Sequence, residues 1–95
     1  MIEKGIYFVR IDSPKNTENL TDKDFQDHVE YLSKISENDL FAGGGFNGSS
    51  GGMIVFKAEN IESAEIIAMN DPIIKRGFFD YVLREWDVIL TSKEK

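Results

Sequence analysis

Two stretches of this chain, GIYFVRI at Gly5 to Ile11 and MIVF at Met53 to Phe56, are apolar at consecutive positions, where a strand facing water on one side would alternate apolar with polar. Successive side chains of a strand point to opposite faces of its sheet, so these strands need cover on both sides. A chain of 95 residues can supply one layer of helices but not a second. The remaining cover is another copy of the same sheet. This predicts a homodimer, with assembly of dimers into something larger as a further option.

The rest of the chain supplies the helices. After the first strand, DSPKNTEN is a cluster of turn formers containing Pro14. TDKDFQDHVEYLSKIS then opens on Thr21 as a helix cap, with Asp24 three residues on as the acidic half of a capping box. Phe25, Val29, Leu32 and Ile35 recur at helical spacing along one face. A short strand is expected at Asp39 to Ala42, followed by a glycine-rich connection and a strand at Met53 to Lys57. Asn60 caps a second helix, IESAEIIAMN, which Pro72 stops by forcing Asp71 out of helical geometry. DPIIKRG reads as a turn or short helical cap closed by Gly77, and a last strand runs from about Tyr81 to Leu90 into a polar tail from about residue 91.

The order is β-α-β-β-α-β in one domain spanning residues 1–95. It predicts an α+β, ferredoxin-like fold: an antiparallel four-stranded sheet with both helices on one face.

Charge narrows the partners. With 17 acidic against 11 basic side chains the chain carries a net charge of −6, which repels nucleic-acid phosphates and anionic membranes. There is no cysteine, hence no disulfide, thiolate nucleophile or zinc-thiolate site. The start MIEKGIYFVRID is charged early and leads straight into a strand pattern, and no apolar run approaches the roughly 20 residues of a membrane-spanning helix. A cytoplasmic protein is expected.

His28 is the one histidine, and it falls inside the apolar arc of the first helix. A group that titrates near neutral pH is costly to bury without partners, so its position calls for a reason. It is a structural histidine bonded to a carbonyl, one tucked at the dimer seam, or a proton-transfer group. Asp71 ends the second helix, where the negative end of the helix dipole disfavours a further negative charge. Turn chemistry before proline explains it equally well. Together the two residues would make a general acid-base pair without metal or cofactor. A single histidine with scattered carboxylates has no metal-ligand spacing. Lys75 and Arg76 form a small basic spot near Asp71, suited to an anionic substrate or simply solvated.

Six of the eight glycines fall at Gly43, Gly44, Gly45, Gly48, Gly51 and Gly52. The run lacks the Lys-Ser/Thr ending of a P-loop and joins strand to strand, which argues against a nucleotide cradle. It reads as the rim of a ligand site, with Gly43 and Gly44 approaching the ligand and Phe46 and Asn47 as apolar and polar contacts, or else as slack.

The helix carrying HVEYL, the hairpin entered through AGG, the helix beginning ESAEIIA, and NDPIIKRG before an aromatic-rich strand together resemble the YCII-related (YciI-like) family over about Tyr7 to Ile89. The resemblance implies a dimeric α+β barrel, with a histidine and an aspartate as an acid-base pair in its pocket; by position these are His28 and Asp71. A few relatives act on small aromatic rings, including dehalogenation of a chlorinated hydroxyquinol. Many members follow AG with proline, whereas this chain has Gly44 and Gly45, so its pocket rim differs. The resulting expectation is a cofactor-independent lyase or isomerase acting on a small molecule. The alternatives are a non-catalytic ligand-binding or accessory domain using the same pocket, and a haem-free monooxygenase-like relative for which no motif is present.

Overall fold

The computed structural model describes residues 4–36 and 40–92. Its elements in chain order are β1 (Gly5–Pro14), α1 (Asp22–Ser36), β2 (Leu40–Gly45), β3 (Gly52–Phe56), α2 (Ile61–Met69), α3 (Pro72–Lys75) and β4 (Phe79–Val88). The four strands form one sheet in the order β2-β3-β1-β4, with every neighbouring pair antiparallel. This is the ferredoxin-like arrangement, with α3 added as a four-residue helix after α2.

Both caps form as their residues dictate. The Thr21 backbone N–H donates to Asp24 Oδ2 at 3.0 Å and the Asp24 N–H returns a bond to Thr21 Oγ1 at 3.1 Å, so two otherwise orphaned donors are satisfied reciprocally. Asn60 Oδ1 accepts from the Ser63 N–H at 2.8 Å.

Two strands run further than expected. β1 continues through Asp12, Ser13 and Pro14 because β4 is equally long and pairs with it down to Pro14 opposite Phe79. β3 ends opposite Asp12, so the proline lies beyond the stretch flanked on both sides and its missing N–H is tolerated. β2 continues through Gly43, Gly44 and Gly45, paired to Ile54, Met53 and Gly52, which leaves a connection of only Phe46–Gly51. Gly43, Gly44, Gly45 and Gly52 of the expected oversized loop are therefore strand; Asp39, expected in β2, lies outside the described residues.

The core lies on the helix side of the sheet. Phe8, Ile54 and Phe56 alternate onto that face and bury against Ala64, with Leu32, Ile61, Ile67 and Leu83 packed around them. Ala64 and Ala68 are wholly buried, and their small side chains let α2 lie close to the sheet. α1 is different: Phe25 and Val29 on its apolar stripe are 56% and 45% exposed. Opposite it, β2 offers glycines in place of side chains. The result is a hollow.

The other sheet face carries Tyr7, Val55 and Val88, which are buried, and Ile11, Met53, Val82 and Trp86, which are exposed. Lys57 lays its ammonium 5.2 Å from the centre of the Tyr7 ring and covers part of this face.

Gly51 shows why a glycine is needed at the turn. Its φ is +92°, and a Cβ there would stand 2.3 Å from the backbone oxygen of Asp12. Gly51→Ala is expected to destabilise the protein by roughly 2–4 kcal/mol, combining about 1 kcal/mol for the left-handed backbone with overpacking against an oxygen that cannot move freely. Gly48 has φ +79° with nothing within 4 Å, so Gly48→Ala incurs the backbone term alone. Thermal denaturation of both variants at equal protein concentration checks this; equal losses would refute the close approach.

Candidate active site

Two local features bring His28 and Asp71 together. The capping box fixes where α1 starts and so where its second turn, with His28, points. At the other end, Pro72 sets Asp71 in extended geometry (φ −66°, ψ 129°), and Asp71 Oδ1 accepts the Ile73 N–H at 3.1 Å. Asp71 is thus the N-cap of α3, whose N–H dipoles favour its charge, rather than an unwelcome charge ending α2. Arg76 ties the two segments: its guanidinium donates to Asp24 Oδ1 at 2.7 Å and Asp27 Oδ2 at 3.0 Å, clamping α1 to the end of α3. Both aspartates are held below the usual carboxylate range, Asp24 first by the Thr21 backbone bond and Asp27 first by Lys23, with Arg76 adding to each.

His28 Nδ1 lies 2.9 Å from Asp71 Oδ1 and 2.8 Å from Oδ2, with His28 12% exposed and Asp71 fully buried. An ionised carboxylate only accepts, so Nδ1 carries the proton and the lone pair of the neutral ring belongs to Nε2. Among the described residues Nε2 has no hydrogen-bond partner, and no buried side-chain nitrogen or oxygen is left unpaired; Nε2 is therefore open to solvent.

Behind the pair lies a residue that the strand pattern concealed. Arg10, 1% exposed, donates from Nε and Nη2 to the two oxygens of Asp12 at 2.8 and 2.7 Å, and from Nη2 to Asp71 Oδ2 at 3.0 Å. Burial alone would lower the guanidinium, but the bonds and charges of Asp12 and Asp71 outweigh it and hold Arg10 above its ordinary value. Asp12, Arg10, Asp71 and His28 form one chain of charged contacts. Its net charge is −1 with a neutral imidazole and zero with an imidazolium. Tyr31 packs nearby; burial and then the Asp71 charge raise its hydroxyl, which donates to the Ile67 carbonyl at 2.7 Å.

The hollow between α1 and the β2–β3 end of the sheet is a cavity of about 480 Å³. Asp12, His28 and Ser33 supply its polar side chains, and Phe25, Leu32, Ile54 and Ile73 much of its apolar wall. Gly43, Gly44 and Gly45 line it. Gly43 faces the α1 side, where a Cβ would stand 3.3 Å from Ile54 Cγ1. The glycines thus act by leaving space. Phe46 and Asn47, expected as contacts, are not on the cavity wall: β2 runs on to Gly45 and carries them into the exposed turn beyond it. Lys75 and Arg76 are off the wall too, and Arg76 is spent on Asp24 and Asp27. Among the described residues no group of three or more His, Asp or Glu side chains is arranged to hold a metal ion.

Arg10, Asp12 and Ser33 escaped the sequence reading. The available signal was Arg-x-Asp: in a strand, positions i and i+2 share a face, so an arginine inside an apolar strand had a partner two residues on.

The model of the YCII-related domain matches residues 6–87. The uncharacterized protein YjpA of Bacillus subtilis (strain 168) is 30% identical over 71 residues, which cover 74% of this chain and 84% of that protein. Among solved structures, 5-chloro-2-hydroxyhydroquinone dehydrochlorinase (TftG) from Burkholderia phenoliruptrix AC1100, in complex with 2,5-dihydroxybenzoquinone, superposes with a TM-score of 0.71 over 86% of this chain and 93% of its own, at 17% identity. Matched along most of its length, from the first strand to the last, the chain belongs to the YCII-related family.

Proposed function

We propose that the protein is a cofactor-independent small-molecule enzyme of the lyase or isomerase type, with His28 and Asp71 as its acid-base pair. The observation that carries this reading is the bond from His28 Nδ1 to a buried carboxylate, with Nε2 left open beside a cavity. Nε2 takes a proton from the substrate, and the imidazolium formed is met by Asp71, which accepts hydrogen bonds from Arg10 and the Ile73 N–H. The same nitrogen then returns the proton to another atom of the substrate or to the departing group. Such a base contributes about 10² to 10⁴-fold, and positioning by the cavity supplies the rest.

The test is turnover of small hydroxylated rings, starting with 5-chloro-2-hydroxyhydroquinone because the dehydrochlorinase of like fold is named for it. Expected is a product whose formation requires His28. A ligand that raises the melting temperature with no turnover across the panel would favour the binding-domain reading instead.

The working unit in this proposal is a homodimer formed through the open sheet face. Its support is the group of exposed apolar side chains there: Ile11, Met53, Val82 and Trp86. Sedimentation at micromolar concentration should give twice the protomer mass. Val82→Asp, at a position 58% exposed and so of little consequence to the lone chain, should give the protomer mass. A wild-type monomer would contradict the dimer.

A further inference from the structure

We propose that Asp12 is the ligand-docking group of the cavity, and that it selects neutral molecules presenting a hydroxyl or N–H donor over carboxylates and phosphates. This rests on the cavity being the ligand site of the proposed function.

Asp12 lines the cavity wall yet is only 6% exposed. Arg10 occupies one acceptor position on each of its oxygens. A carboxylate oxygen has two such positions, so one on each remains for a donor coming from the cavity. Arg10 sits behind Asp12, and its bonds to two carboxylates turn its charge away from a ligand. The nearby cations Lys75 and Arg76 are not on the wall. A ligand therefore meets a carboxylate at Asp12 and the imidazole of His28, with no free cation on the cavity wall among the described residues. An incoming carboxylate has no donor to offer the open Asp12 oxygens and would lie against a like charge that Arg10 pairs only from behind. A hydroxyl instead gains a charge-assisted bond, and the apolar walls of Phe25, Leu32 and Ile54 take the carbon frame.

The probes are hydroquinone, 1,4-dimethoxybenzene, which keeps the ring and oxygens but removes both donors, and benzoate. Each is titrated into the wild-type protein while the NMR signals of His28 and Gly43 are followed. Hydroquinone should bind at least tenfold more tightly than either of the others. Asp12→Asn should weaken hydroquinone by tenfold or more and narrow its margin over benzoate, because the wall loses its charge. Benzoate or dimethoxybenzene binding as well as hydroquinone to the wild type would overturn the assignment, and that comparison needs no variant. A change under threefold in a folded Asp12→Asn would overturn it as well. If none of the three probes moves the His28 or Gly43 signals, the cavity reading beneath it falls too, an outcome distinct from binding without selectivity.

Discussion

Replacing Arg10 with methionine is expected to lower the stability of the fold by about 3–5 kcal/mol, the largest loss from any single side chain discussed above. The hydrocarbon stem would be matched closely, so little packing is lost. What remains is a pair of carboxylates, Asp12 at 6% exposure and Asp71 at 0%, with their shared counter-charge removed. Taking a buried ion pair apart from one side is far more damaging than replacing the whole of it, because the orphaned charge keeps its desolvation penalty. Two controls separate this from a volume effect. Arg10→Met with Asp12→Asn should be less unstable than Arg10→Met alone, since one orphan is gone. Arg10→Lys should fall between wild type and methionine, because an ammonium cannot make the two-pronged contact with Asp12 while also reaching Asp71.

The second large effect is catalytic. On a substrate that the wild type turns over, His28→Gln is expected to lower kcat by about 10² to 10⁴-fold with a small change in stability, since the ring is at the cavity edge and not in the core. Asp71→Asn should act through the same step. An asparagine presenting its amide N–H to Nδ1 would leave the proton on Nε2, the wrong nitrogen for a base. Groups that act as one unit are strongly non-additive, so the double variant should be about as slow as the worse single one. Losses that multiply would mean the two residues act separately.

Much of the fold was legible because it rests on local chemistry. The Thr21–Asp24 box, the Asn60 cap and the Asp-Pro break after α2 are short-range devices, and each forms where its residues stand. The glycine run misled. Gly43, Gly44 and Gly45 have poor strand propensity, yet β3 offers its pairing groups regardless of side chain, so tertiary context overrides the propensity and the expected rim becomes an edge strand. That carried Phe46 and Asn47 off the cavity wall and left the glycines as the floor of the hollow under α1. The charged chain behind His28 was hidden for another reason. Arg10 meets Asp71 across 61 positions of sequence, and although Arg-x-Asp signals the Arg10–Asp12 contact within the strand, nothing local signals the second carboxylate that the same arginine reaches.

The most direct measurement uses the fact that the chain has a single histidine, so that a long-range ¹H–¹⁵N spectrum of labelled protein contains one imidazole in its native sequence. At a pH where the ring is neutral, the expected spectrum has Nδ1 protonated and Nε2 bare, and Asp71→Asn moves the proton to Nε2. A neutral wild-type ring with its proton on Nε2, unchanged when Asp71 is replaced, would leave the proposed base without its lone pair and contradict the account.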